Sequence, residues 1–199
     1  MSRWKQFSIR IQGAGFGLAL AAGLGGSFFF VSAVADAGTM EISLGFSYSH
    51  SNYSDDNYSW SRRWGASVGY HITELTEIEA AFQDIWERTK ITNYEDTTFH
   101  DQIYSANIVQ ALLGKEYAVQ PYFKAGVGQL NREATGTYAG GASPPAILDS
   151  VTVILGLGLR VFLTRTIAIR TELTSYLTGG KISSYQDNLN FTVGASFFF

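Results

Sequence analysis

From residue 38 onward, apolar and polar positions alternate with a period of two. In the last twelve residues Leu189, Phe191, Val193, Ala195, Phe197 and Phe199 share one face. Asn190, Thr192, Gly194 and Ser196 share the other, with Phe198 as the departure. Met40, Ile42, Leu44, Phe46 and Tyr48 stand against Glu41, Ser43, Gly45, Ser47 and Ser49 in the same way. Val151, Val153, Leu155, Leu157, Leu159 and Val161 oppose Thr152, Gly156, Gly158 and Arg160. Successive side chains of a strand point to opposite faces, so this period reads as β-structure. The pattern predicts eight strands, over 39–50, 58–71, 75–91, 101–114, 119–133, 149–163, 167–178 and 188–199.

The connections alternate in length. Those at 72–74, 115–118 and 164–166 are short, whereas 51–57, 92–100, 134–148 and 179–187 are long, polar and rich in Gly, Ser, Asn and Asp. Short turns at one end and long loops at the other fit an antiparallel up-and-down barrel crossing an outer membrane. A closed barrel leaves no unpaired strand edge in lipid. A lipocalin-like soluble barrel, or a β-sandwich with one wet face, shares the alternation. Three features favour the transmembrane barrel. The polar faces consist mainly of Gly, Ser and Thr, which suits a narrow interior. Tyr48, Tyr53, Tyr58, Trp60 and Trp64 lie near the long loops, and Tyr70, Tyr117, Phe162 and Phe199 near the short turns, as two interfacial girdles would. The chain also stops on an aromatic residue at a strand end.

Composition sharpens this picture. The 199 residues include 21 Gly, three Pro and 15% aromatics. Mean hydropathy is +0.03, too low for a bundle of membrane helices. Absence of Cys removes disulfides and Cys-ligated metals. A balance of 14 basic and 17 acidic residues gives no basic face for nucleic acid. Arg3, Lys5 and Arg10 precede an uncharged stretch, 11–34, that leads into Ala35-Asp36-Ala37. That order is the pattern of a cleavable signal peptide over 1–37, with cleavage expected after Ala37. Its loss leaves 162 residues, 38–199, with 11 basic and 16 acidic side chains.

Several segments carry a family resemblance: Val68-Gly-Tyr-His-Ile-Thr-Glu-Leu75, Pro121-Tyr-Phe-Lys-Ala-Gly-Val-Gly128, Gly156-Leu-Gly-Leu-Arg-Val-Phe-Leu163 and Ala168-Ile-Arg-Thr-Glu-Leu173. With them, the chain resembles the outer-membrane β-barrel domains typified by OmpA and its small eight-stranded relatives. The last strand, with Phe191, Phe197 and Phe199, resembles the signal read by the barrel insertion machinery. The resemblance implies an integral protein of a Gram-negative outer membrane, in contact with its lipid and lipopolysaccharide. It implies a barrel-only member, since no peptidoglycan-binding domain follows Phe199. A monomer without cofactor or metal is expected.

Alternation also assigns the inward charges: Glu41, Arg63, Glu77, Glu79, Lys124, Arg160, Arg170 and Glu172, together with Gln83 and Tyr122. A narrow eight-stranded interior is filled by side chains, and charges removed from water need partners. By analogy with the family, Lys124, Arg160 and Arg170 are expected to pair with Glu77, Glu79 and Glu172 as a plug. A gated narrow pore is the alternative, and adhesion through the long loops a second. Inward Gly126, Gly128, Gly156, Gly158 and Gly194 make room for the long side chains.

Catalysis finds little footing. His50-Ser51-Asn52 offers triad residue types, but adjacent strand residues point to opposite sides. His71 reads as a solvated rim residue at a short turn, and His100-Asp101 as a loop pair. Asp55-Asp56 and Glu95-Asp96 read as solvated loop acids. Converging metal ligands are not evident.

Overall fold

A computed structural model describes residues 38–54, 56–114, 117–138, 141–143, 147–178 and 189–199. The expected signal peptide, Asp55, part of the third long loop and the fourth long loop lie outside the described residues. Eight antiparallel strands form one closed barrel in sequence order: β1 Met40–Ser54, β2 Asn57–His71, β3 Thr76–Ile91, β4 Glu95–Ala111, β5 Val119–Tyr138, β6 Ile147–Phe162, β7 Ile167–Thr178 and β8 Leu189–Phe198. β1 closes on β8 from Glu41↔Phe198 to Phe46↔Val193.

The register fixes the shape of the wall. From Asn131 the row of paired residues runs through Gln102, Asp84, Trp64, Phe46, Val193, Thr171 and Leu159. It returns to β5 at Pro121, ten residues below its start. A stagger of that size, with 3.3 Å of rise and 4.8 Å between strands, tilts the strands by about 40° and gives a backbone radius of about 8 Å. Each residue then climbs about 2.5 Å along the barrel axis, and each step to the next strand shifts the height by about 3 Å.

The outer face is apolar. Leu157 is 64% exposed, Phe191 58% and Leu44 54%, an apolar surface of the kind that faces lipid in a transmembrane barrel. On the axial scale Tyr48, Trp64, Phe82 and Tyr104 fall within about 4 Å of one height, and Tyr70, Phe197 and Phe199 lie about 15–20 Å beneath them. These are two aromatic girdles bounding an apolar belt. Trp64 packs edge-on against Phe82 at 5.4 Å, and Phe82 meets Tyr104 at 5.0 Å. Phe162 does not belong to the lower girdle as the sequence had suggested. It points inward and is buried, because its even number places it on the Arg160 face of β6.

The strands run higher than the alternation indicated. The 51–57 connection shrinks to 55–56, and the 92–100 connection to a turn at 92–94 with Asn93 at φ 62°. β4 therefore begins at Glu95 rather than 101, and β5 continues to Tyr138. Above the membrane both faces of a strand meet water, so polar residues on both sides erase the period while the backbone ladder continues. Gly136 pairs with Thr97 in this upper wall at φ 124°, and a Cβ there would collide with the Asp96 carbonyl.

Candidate functional site: the barrel interior

The inward side chains stack in layers along the axis. At the short-turn end Phe162, Ala168 and Phe198 form a buried apolar cluster, with the two phenyl rings 5.2 Å apart. Alternation places all three there: each is an even-numbered residue on a strand whose inward positions are even.

The next layer up is ionic. Glu41, Glu77, Glu79, Lys124, Arg160, Arg170 and Glu172 are all buried. Arg160 bridges Glu41 at 2.7 Å and Glu77 at closer range. Arg170 contacts Glu79 at 2.7 Å, Glu172 at 2.8 Å and Glu41 at 3.4 Å. Lys124 contacts Glu79 at 3.4 Å and also pairs with Glu172. Tyr122 accepts from Arg170 Nε at 2.7 Å and donates to Glu172 at 2.9 Å. Both guanidinium groups lie over its ring, at 4.9 and 5.1 Å. Neutral donors add to three of the four carboxylates: Ser43 to Glu41, Ser67 and Asn107 to Glu79, and Thr174 to Glu172, whereas Glu77 Oε1 has no hydrogen-bond partner among the described residues. Charges stripped of water are tolerated only with such dense pairing. Glycines admit the bulk. A Cβ at Gly158 would collide with the Tyr122 ring, and one at Gly69 with the Glu77 carboxylate.

Two residues stand differently from the sequence reading. His71 is not a solvated rim residue; it is 3% exposed, with Nε2 3.4 Å from Glu41 and 3.9 Å from Glu77. It ends β2 on the inward face, so the strand's own parity carries it under the ionic layer. Arg63 faces inward as expected but is not part of the pairing. It sits higher, with its guanidinium 5.3 Å from the Tyr176 ring centre. Among the described residues its Nε and Nη1 have no hydrogen-bond partner.

Glu41, His71 and Glu77 bring possible metal-ligand atoms within 4.8 Å of one another, a convergence that was not evident from sequence spacing. Arg160 reaches both carboxylates. A guanidinium therefore holds the place a metal cation would take, and the donor set does not fit a metal while Arg160 is there.

Above the ionic layer lies a layer of small residues, Gly45, Gly65, Ser67, Ala81, Thr192 and Gly194, around a cavity of about 60 Å³. Over it sits a second apolar cluster of Ile85, Ile103, Leu130, Ile154 and Tyr176. Arg132 then grips Asp101 through Nε at 2.7 Å and lies over Phe99 at 5.1 Å. His100 and Asp101 are thus not a loop pair. They are neighbours within β4 and face opposite ways: Asp101 lies inside, while His100 points out to Asp84 at 2.7 Å and stacks on Trp86 at 4.1 Å. Hydrolytic use of a His–Asp pair needs a nucleophile bonded to the imidazole; among the described residues no hydroxyl is hydrogen-bonded to His100, whose Nε2 meets Asp84 and whose ring face lies on Trp86. His50, Ser51 and Asn52 are exposed along β1. Phe191, Phe197 and Phe199 face outward, at the foot and upper half of the belt.

A closed antiparallel barrel with an apolar exterior, two aromatic girdles and a charged, packed interior is an integral β-barrel of the outer-membrane type. The sequence matches the outer membrane protein beta-barrel domain family over residues 16–199. The chain belongs to that family, and its place is the outer membrane. Solved structures share the fold at low identity. The N-terminal barrel domain of Pseudomonas aeruginosa OprF aligns over 83% of this chain and 100% of its own, at TM-score 0.56 and 16% identity. Ail, the attachment invasion locus protein of Yersinia pestis, aligns over 81% and 99%, at 0.51 and 18%. The outer membrane protein OprG of Pseudomonas aeruginosa aligns over 85% and 99%, at 0.50 and 12%. No curated protein sequence matches the chain.

Proposed function

We propose that this protein is a structural, non-enzymatic component of the outer membrane, a barrel closed to solutes by its own side chains. The observation that carries this reading is the order of layers. Two apolar clusters, Phe162–Ala168–Phe198 below and Ile85–Ile103–Leu130–Ile154–Tyr176 above, bracket the ionic layer. An ionic layer alone could open by exchanging partners. Apolar constrictions oppose wetting whatever the ion pairs do, which weighs against the narrow-pore alternative. Export by cleavage of residues 1–37, insertion guided by Phe191, Phe197 and Phe199, and a monomer surrounded by lipid and lipopolysaccharide belong to the same proposal. The test is efflux of small sugars and ions from proteoliposomes holding the folded chain. No efflux above that of empty liposomes is expected; solute flux scaling with inserted protein would refute a closed barrel.

A second reading, surface adhesion, has one specific support. β4 and β5 pair from Ala111↔Tyr122 up to Glu95↔Tyr138, which carries a sheet about 20 Å above the upper girdle at 2.5 Å of axial rise per residue. Exposed Tyr94 and Tyr138 crown this wall. Rigid, projecting β-structure is a platform on which surface contacts can be built. Cell-binding assays with Tyr94→Ala and Tyr138→Ala test it; unchanged binding in both would remove the wall's tip from consideration.

A further inference from the structure

The seam that closes the barrel, β1 against β8, is the shortest ladder among the described residues. It runs from Glu41↔Phe198 to Phe46↔Val193 and stops there, although β1 continues to Ser54 and β8 begins at Leu189. Continued in the same register, Tyr48 would face Phe191 and His50 would face Leu189, but these positions are not paired. On their far sides the same segments are held. β2 pairs with β1 up to Ser54↔Asn57, and β7 pairs with β8 up to Ser175↔Leu189. The two strands therefore part above Phe46 and Val193 and leave a notch in the wall, occupied by a cleft of about 440 Å³.

Two chemistries meet in this notch. Its lipid side is formed by Phe46, Tyr48, Phe191 and Val193, all outward and exposed. Its lumen side carries Ser47, Ser49 and Ser61, inward by the alternation of their strands. The backbone adds a third element. Met40 and Phe199 exchange both of their backbone bonds, at 3.1 and 2.9 Å. Such pairs recur at every second residue of an antiparallel ladder. Tyr48 and His50 from β1, and Leu189 and Phe191 from β8, thus direct N–H and C=O into the cleft without a ladder partner among the described residues. Tyr48 belongs to the upper girdle, so these groups stand at the level where lipid headgroups join their acyl chains. Hydrocarbon alone cannot satisfy backbone polar groups. Water alone would satisfy them but leave the apolar lip of the notch wet.

We propose that the notch seats one outer-leaflet lipid in a fixed place. Its ester or amide linkage lies between Tyr48 and Phe191, where the linkage carbonyl accepts from a strand N–H, and an acyl chain descends over Phe46 and Val193. The lipid meets both demands in the right vertical order, polar above and apolar below. The chain continues the lipid that already covers the belt beneath. A second copy of the protein fits less well, because the strands of a copy are tied into its own wall and cannot enter a notch flanked by two strands. The site rests on the outer-membrane placement and adds one retained molecule to the general lipid surround.

The test is native mass spectrometry of the folded chain after addition of phosphatidylethanolamine or lipid A. One lipid retained per barrel after detergent is stripped is expected. Val193→Trp, which fills the floor of the notch, should remove it, whereas Val151→Trp, on the lipid face of β6, should not. Retention of lipid A alone assigns the seat to lipopolysaccharide; retention of either lipid assigns it to acyl lipids in general. No retained lipid, retention that both variants lower equally or neither lowers, or a retained mass equal to a second chain would overturn the proposal. A second measurement needs no variant: crystals grown with phospholipid brominated on its acyl chains should show bromine beside Phe46 and Val193. Protein backbone paired with Tyr48, or only water in the cleft, would overturn it. Loss of the lipid site with no solute efflux leaves the closed-barrel reading intact, whereas efflux counts against that reading whether or not lipid is retained.

Discussion

Leu157→Arg on β6 probes the orientation of the whole wall. Leu157 is 64% exposed and lies between Phe123 and Leu173 across the strands, both facing outward. Along its own strand the outward neighbours are Leu155 and Leu159, so no carboxylate is near enough to accept an arginine. Val161 and Val151 bound the belt on this strand, four residues below and six above. At about 2.5 Å of axial rise per residue, Leu157 is roughly 10 Å from one boundary and 15 Å from the other. It is therefore close to the bilayer midplane, where an arginine on a barrel's lipid face costs about 2–4 kcal/mol. In a water-facing wall the same change at so exposed a position would fall within about 0.5 kcal/mol of neutral. The assay is reversible urea unfolding in lipid vesicles, with stability taken from linear extrapolation. Leu163→Arg, at the short-turn rim, is the control and should cost about 0–1 kcal/mol. Equal stabilities for the two variants would refute the assignment of this face to lipid.

Other outcomes follow from the interior. Arg160→Met leaves Glu41 and Glu77 facing each other without their shared guanidinium; a loss of about 3–5 kcal/mol is expected in the same unfolding assay, partly recovered by adding Glu77→Gln. Gly158→Ala drives a methyl into the Tyr122 ring, and overpacking of this kind should cost about 1–3 kcal/mol. Tyr138→Arg, on the exposed top of β5, should change stability by less than about 0.5 kcal/mol. Removing Phe199 should slow insertion by the assembly machinery more than it lowers the stability of the folded barrel, measurable by comparing insertion rates with urea midpoints.

Strict alternation made the membrane part of the barrel readable, because one face must suit lipid and the other a narrow lumen. Glu41, Lys124 and Arg170 could be assigned inward by parity alone. The same parity would have placed His71 and Phe162 inside, but both lie beside short turns, where polar and aromatic residues are equally expected at a rim. Phe198 looked like a break in the pattern because an apolar residue stood on the polar face; its reason is Phe162 inside the lumen, 36 residues earlier in the chain and two strands away, a contact that only the closed fold makes. The Asp84–His100 pair was hidden for a related reason. Its partners sit on adjacent strands, 16 residues apart, and only the cross-strand register brings them together. Strand tops were missed where polar residues occupy both faces, since a hydrogen-bonded ladder needs no side-chain pattern to continue.

The central claim, a barrel sealed by its own interior, is tested most directly by planar-bilayer conductance of the folded protein beside Lys124→Ala. Loss of Lys124 frees Glu79 and Glu172 from one partner yet leaves both apolar clusters in place. The account predicts silence from both proteins once insertion is confirmed. Reproducible conductance steps that grow in Lys124→Ala would contradict it and make the ionic layer a gate.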